Sequence, residues 1–355
     1  MIAFDIGGTW FRSGLVSADN GVDDMVRQAA LSYRAQPQRT SSDLQGALVE
    51  YLVREARLRR AALEEAPPRV AISLGAVLDP QSGMVFDSGP LWGPDCQPFD
   101  LLERLKQVEP TYNWFLLNDV SAALIRHVLT TVFSSIKKLM VVTISSGIAA
   151  RVYDARARHI PSDRQLGIQG EIGHLQARLL VQGAPVHLTC DCGGEDHLNA
   201  FCSGRGLAAV LRLGMAQPSN GNLRPWPVDL VHRGADDAQI LDGFRDEVIG
   251  ERPWAVDVLQ DLVRPIALQL LHLFTFDPEV ERVLLIGGVV AQLAPYYLHA
   301  LIHVLECQGL YQITDHNHSF FRERVGVGFL DDASGLIGSA AYARGELPGV
   351  FDGRW

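Results

Sequence analysis

The sequence predicts an α/β protein of two domains. Strand-length apolar runs repeatedly give way to helical patterns, and several of the runs end in glycine-bearing turns at Gly7-Gly8, Gly75, Gly147 and Gly287-Gly288. A length of 355 residues carries a prior of two domains, and 47% apolar residues supply ample core for both. The formal net charge of -10 argues against sequence-independent binding to nucleic acid, which needs a basic excess to neutralise phosphates. The opening MIAFDIGGTW has no basic segment or cleavage site, and no apolar run approaches the roughly 20 residues of a membrane helix. Five cysteines, three of them clustered, form no disulfide framework, so a cytosolic protein is expected.

Residues 2–5 read as a short strand that opens onto Gly7, Gly8 and Thr9, with residues 11–16 returning as a second strand. A glycine tip lets backbone amides approach an anion, and the Thr9 hydroxyl adds a donor, so DIGGT suits a phosphate cradle. Asp5 at its mouth could hold magnesium, directly or through water. Gly-Gly turns are common, and the string is neither a Walker A loop nor a dinucleotide fingerprint.

A helix is expected over residues 41–60, with Leu44, Leu48, Tyr51, Leu52 and Ala56 on one face, ended by Pro67 and Pro68. Residues 69–74 form a buried strand leading into Gly75, and residues 84–86 a second short extended run. The loop DSGPLWGPD offers Asp87, Ser88 and Trp92 as substrate contacts, or else a structural turn with Trp92 packed inward. A strand over 114–117 delivers Asn118 and Asp119 just before a helix over 120–129. Strand C-termini are where open α/β sheets place their chemistry; Asp119 is either a catalytic base or the N-cap of that helix. The strand 138–144 runs into Ser145, Ser146 and Gly147, and residues 148–153 return as its hairpin partner.

Residues 166–204 concentrate metal-ligating chemistry. His174, Cys190, Cys192 and His197 offer the thiolate and imidazole ligands that tetrahedral zinc prefers, and Gly193 and Gly194 allow a tight fold between Cys192 and His197. Cys202 and His187 rank behind these four. The alternative is that the cysteines are small buried apolar groups. Downstream, helices are expected over 206–213, 238–248, 253–276, 289–307 and 334–344, strands over 283–286 and 325–329, and a surface loop over 217–227. Gly287 and Gly288 form a strand-to-helix corner that would let an adenine ring lie close to the backbone.

Glu171, Gly173 and His174 of GEIGH, followed by Cys-x-Cys-Gly, resemble the signature of the ROK family of sugar kinases and sugar-sensing repressors. DIGGT resembles the first phosphate motif of the sugar kinase, Hsp70 and actin superfamily to which that family belongs. NDVSAAL resembles the family's Asn-Asp-Ala-Asn-Ala-Ala string, IGGVV its adenosine motif, and GLIGSAAYA its C-terminal ending. The resemblance spans roughly residues 2–344. It implies an α/β two-domain actin-like ATPase fold, related to ribonuclease H, closing on a cleft for nucleotide and sugar. The small domain would span roughly 1–118, with a C-terminal helix of about 336–355 packing back on it, and the large domain roughly 119–335.

It also implies a kinase that uses ATP and magnesium, a structural zinc on His174, Cys190, Cys192 and His197, and a homodimer. Asp119 would be the general base. Asp5, Gly7, Gly8, Thr9, Ser145, Ser146, Gly147, Gly287 and Gly288 would hold the nucleotide and its metal. Asn118, Glu171, His174, Asn199, Asp87, Ser88 and Trp92 would meet the acceptor. The chain departs from the pattern in four places: His197 stands for the third cysteine, Asn199 for a sugar-binding glutamate, Leu91-Trp92 for an Asn-Leu-Pro-Gly-Trp string, and TISSGIAA for a glycine-rich second phosphate loop. The last three of these together resemble the family members that phosphorylate seven-carbon cyclitols in aminocyclitol antibiotic pathways, with glucose, another hexose or an N-acylhexosamine as the alternative acceptor. Two readings of another class are a non-catalytic sugar binder, which the serines of the second phosphate loop favour, and a DNA-reading repressor, which the start of the motif at Asp5 opposes.

Overall fold

The structure, a computed structural model, describes residues 1–63, 67–93, 96–131, 136–163, 165–167, 169–216 and 234–352. The expected loop 217–227 lies outside the described residues. The chain forms two compact units: Met1–Val141 with Arg151–Gly170 and Asp331–Trp355, and Val142–Ala150 with Glu171–Leu330. The helix Asp119–Thr130 groups with the first unit.

The first unit is built on a five-stranded sheet. Its strands are β1 (Ile2–Ile6), β2 (Trp10–Val16), β3 (Val22–Ala29), β4 (Arg69–Leu74) and a later strand Asn113–Asn118, in the order β3, β2, β1, β4, Asn113–Asn118. β1 pairs antiparallel with β2 and parallel with β4, and β4 pairs parallel with Asn113–Asn118. Ile6, Leu74 and Asn118 therefore stand side by side at one edge. Alternate residues of β1 point to opposite faces. Phe4 and Phe11 meet Tyr51 of the helix Ser41–Arg59, at ring separations of 6.0 and 5.1 Å. Ala3 and Val16 meet Leu336 and Ala340 of the helix Ser334–Arg344. A capping box of Thr40 and Asp43 starts the first of these helices.

β3 has no counterpart in the sequence reading, because VDDMVRQA is exposed along most of its length and shows no apolar alternation. Backbone pairing to β2 makes it a strand.

The second unit carries the strands Val280–Ile286 and Val325–Val327 as a parallel pair. It also holds Val142–Ala150, the turn end of the hairpin formed by Lys138–Ile144 and Ile148–Asp154. Helices Asp237–Ile249 and Pro253–Phe276 agree with the apolar periodicity. The single helix expected over 289–307 is two helices, Gly288–Leu293 and Tyr296–Gln308. Pro295 parts them, since proline has no amide to donate and disfavours helical geometry in the residue before it. The last strand is shorter than expected, ending at Val327. Among the described residues no helix is long and apolar enough to cross a membrane.

Candidate active site

Each unit gathers part of the sequence-nominated residues. In the first unit the three parallel strands deliver the DIGGT turn, Gly75 and the Asn118-Asp119 pair to one edge of the sheet. The Gly75 amide donates to the Ile6 carbonyl at 2.8 Å. A Cβ built on Gly75 would lie 3.4 Å from Asp119 Oδ2 and 3.7 Å from the Gly7 Cα, so this glycine lets the carboxylate and the turn approach each other. Asp119 Oδ1 accepts the Val120 amide at 2.9 Å. Asn118, not Asp119, is the N-cap: its Oδ1 takes the Val120 and Ser121 amides at 3.0 and 3.1 Å, and its Nδ2 donates to the Ala76 carbonyl at 3.0 Å. The amide nominated for an acceptor hydroxyl thus fixes the start of the helix.

The DIGGT turn is held from outside. Gly7 donates its amide to the Trp10 carbonyl at 3.0 Å, and the Gly8 carbonyl accepts the Ser32 hydroxyl at 2.9 Å. A Cβ on Gly8 would come 2.6 Å from the Pro90 side chain, so only glycine fits there. Thr9 is exposed at the tip. Asp5 is mostly buried; its Oδ1 accepts the Ser73 hydroxyl at 2.8 Å and its Oδ2 the Arg12 guanidinium at 3.3 Å. Burial pushes its pKa above the ordinary carboxylate range, while Arg12 and Ser73 pull against that rise. Arg12 in turn bonds Asp332 at 2.6 Å. Sequence reasoning missed Arg12, yet the signal was there, since a hairpin about the glycine turn pairs residue 5 with residue 12.

The loop after β4 divides its nominated residues. Asp87 is exposed at the end of the strand Met84–Asp87. Ser88 is buried and donates its hydroxyl to the Gly75 carbonyl at 2.8 Å, which ties this loop to the Asp119 edge. Trp92 is only 1% exposed and packs edge-to-face on Phe99 at 5.9 Å, inside the core. Of its two sequence readings, the structure has the inward packing.

In the second unit the turn Ser145-Ser146-Gly147 is closed on itself, the Ser145 amide donating to the Gly147 carbonyl at 2.9 Å. Gly287, at φ +101, packs against the Ile144 backbone with no room for a side chain, and a Cβ on Gly288 would lie 3.9 Å from the Ser145 hydroxyl. The two glycine-bearing turns are thus neighbours. Glu171 precedes a short helical turn, Ile172–His174.

His174, Cys190, Cys192 and His197 come together, their ligand atoms all within 4.8 Å of one another. Cys192 Sγ lies 3.3 Å from His174 Nδ1 and 3.2 Å from His197 Nδ1. A tight turn brings them in: Gly193 donates to the Cys190 carbonyl and Cys190 to the Gly194 carbonyl, each at 2.8 Å. Gly193 sits at φ +84, and Gly194 lies so close to the His197 ring that a Cβ would not fit. Cys202 and His187 stand outside the cluster. The Cys202 thiol is buried 3.3 Å from the Leu262 carbonyl, and His187 pairs with Asp196 at 2.7 Å.

Asn199, expected as an acceptor contact, has a bond within the protein. Its Oδ1 accepts the amide of Ile148, the residue after the Ser145–Gly147 turn, at 2.7 Å.

Comparison with known proteins bears on the family of the chain. A family profile described as ROK family matches residues 1–346. The chain is 34% identical over 353 residues to a 2-epi-5-epi-valiolone 7-kinase of an Actinoplanes species, an alignment covering 98% of this chain and 94% of that one. It is 28% identical over 349 residues to a C(7)-cyclitol 7-kinase of Streptomyces hygroscopicus subsp. limoneus, again over 98% and 94%. Among solved structures, a ROK family glucokinase from Streptomyces griseus in complex with glucose and AMPPNP superposes with a TM-score of 0.69 at 18% identity, covering 97% of this chain and 99% of that chain. At that identity the likeness speaks for the fold, which is the α/β actin-like ATPase fold. The profile match over nearly the whole chain and the 34% relative establish that the chain belongs to the ROK family.

Proposed function

We propose that the chain is an ATP-dependent kinase that transfers the γ-phosphoryl group to the exocyclic primary hydroxyl of a seven-carbon cyclitol, with Asp119 as general base. The observation that carries this reading is the register of Ile6, Leu74 and Asn118, which sets the Asp119 carboxylate beside Gly75 and the DIGGT turn. Phosphoryl transfer asks for a carboxylate within hydrogen-bond reach of the attacking hydroxyl, to orient it and take its proton, beside groups that hold the phosphates. The Val120 amide on Oδ1 fixes the carboxylate plane, and Oδ2, on the Gly75 side, is the oxygen that takes the proton. The similarity to the Actinoplanes 2-epi-5-epi-valiolone 7-kinase supports the acceptor class.

The remaining roles follow the residue chemistry. Gly8 and Thr9 offer a backbone amide and a hydroxyl suited to phosphate oxygens; in the second unit Ser145, Ser146 and Gly147 offer the same chemistry, and Gly287, packed on the Ile144 backbone, forms the corner at which Gly288 presents bare backbone to the adenosine. Glu171 and His174 hold acceptor hydroxyls. Both Asp5 oxygens already have protein partners, which supports a contact to magnesium through water. Magnesium, when bound with the nucleotide, supplies charge neutralisation on the phosphates.

His174, Cys190, Cys192 and His197 fit a structural zinc. Bonds of about 2.0–2.3 Å in a tetrahedron put ligand atoms roughly 3.3–3.8 Å apart, and the observed separations of 3.2 and 3.3 Å about Cys192 are of that size. Zinc there would pin the segment that carries His174.

The test is ADP release from magnesium ATP across cyclitols bearing a hydroxymethyl group, hexoses and N-acylhexosamines, with Asp119→Asn as the blank. Turnover confined to the cyclitols is expected. Turnover on hexoses alone would overturn the acceptor, and no turnover on any of them would overturn the kinase reading.

A further inference from the structure

We infer that Asn199 is a positioning residue for the nucleotide-phosphate turn and not an acceptor ligand; the inference rests on the kinase reading above. Because the donor is a backbone amide, the atom that meets Ile148 has to be the side-chain oxygen, so the orientation of the Asn199 amide is fixed. This bond clamps the exit of the Ser145–Gly147 turn. A second bond clamps its entrance: the Gly204 amide, five residues after Asn199, donates to the Ser145 carbonyl at 2.8 Å. One short helical segment, Leu198–Cys202 with its flanks, therefore grips both ends of the turn.

The amide is closely packed on the Gly173 side. Gly173 lies against Asn199 Oδ1 and the Ile148 carbonyl with no room for a Cβ, and a Cβ on Gly147 would come 4.0 Å from the same oxygen. A glutamate would have to fold its extra methylene into this gap or leave it. The same geometry accounts for the company Asn199 keeps. His197 lies two residues before it, and Gly173 is the neighbour of His174, so the metal-type cluster and the phosphate turn share one mechanical support.

The experiment is calorimetric binding of magnesium AMPPNP, with acceptor KM measured alongside, on the wild type and on Asn199→Ala, Asn199→Asp and Asn199→Glu. Removing the acceptor of one backbone amide is expected to weaken nucleotide binding about tenfold in Asn199→Ala and leave the acceptor KM within twofold. Asn199→Asp, which keeps length and oxygen, is expected to restore nucleotide binding without moving the acceptor KM. Asn199→Glu is expected to resemble the alanine variant. Unchanged nucleotide affinity in Asn199→Ala, or an acceptor KM that shifts in either Asn199→Ala or Asn199→Asp, overturns the inference. Should Asn199→Ala fail to fold, Asn199→Asp decides alone, because an acceptor ligand would feel the loss of the amide donor. A wild type that binds no nucleotide overturns the kinase reading itself, and this inference with it.

Discussion

Arg126 forks onto Asp331, its two terminal nitrogens meeting the two carboxylate oxygens at 2.5 and 2.8 Å, and the same guanidinium reaches the Ser334 hydroxyl at 2.9 Å. Arg126 belongs to the helix that begins at Asp119, and Asp331 stands just before the helix Ser334–Arg344. The pair thus ties the helix carrying the candidate base to the terminal helix beneath it.

This pair makes stability depend on acid in a definite direction. The bonds from Arg126 hold the Asp331 carboxyl below its ordinary range, so the folded state releases that proton more readily than the unfolded chain. The contribution is present above the unfolded pKa of about 3.8 and is lost as pH falls through the lower folded value. Arg126→Ala should destabilise the protein by about 0.5–1 kcal/mol near neutrality, a partly exposed pair being modest in strength. Thermal melts from pH 7 down to pH 3 should show the gap between variant and wild type narrowing; a constant gap would remove Asp331 titration from the account.

Asp119→Asn should bind nucleotide and acceptor with affinities close to the wild type and lose turnover by about 10²–10⁴. Single-turnover kinetics beside equilibrium binding separate the two. A variant that keeps more than a tenth of the activity would take Asp119 out of the proton transfer.

Metal analysis of the purified protein should find about one zinc per chain. Cys192→Ser, which removes the sulfur lying between the two imidazoles, should lose the metal and lower the melting temperature. A zinc-free preparation with an unchanged melt would show that the four side chains pack together without a cation.

Gly338→Ala should be among the most damaging single-methyl changes in the chain. The terminal helix crosses Asp119–Thr130 with Gly338 against the Ala122 carbonyl, leaving no space for a Cβ, and the neighbour is backbone that cannot swing aside. An overpacked site of this kind costs about 1–3 kcal/mol. Denaturant titration reads it directly, and a variant as stable as the wild type would mean that the two helices can part freely.

By itself the sequence determined whatever is written in contiguous residues. DIGGT, NDVSAAL and the run from GEIGH to His197 each carry their turn formers and their chemistry in one stretch of sequence, so the glycine turns and the four clustered metal-type ligands were legible. The helix Ser41–Arg59 and the strand Arg69–Leu74 were legible because burial imprints a period on the residues. Tertiary structure alone decided the rest, because the partner of a polar group or of a bare backbone edge is chosen by parts of the chain far away in sequence. VDDMVRQA shows no period and becomes β3 only by pairing with β2. The carbonyl of Asn118 goes to a helix start and its amide to Ala76, 42 positions away. The oxygen of Asn199 finds the amide of Ile148 across 51 positions, a hydrogen bond that no local pattern encodes.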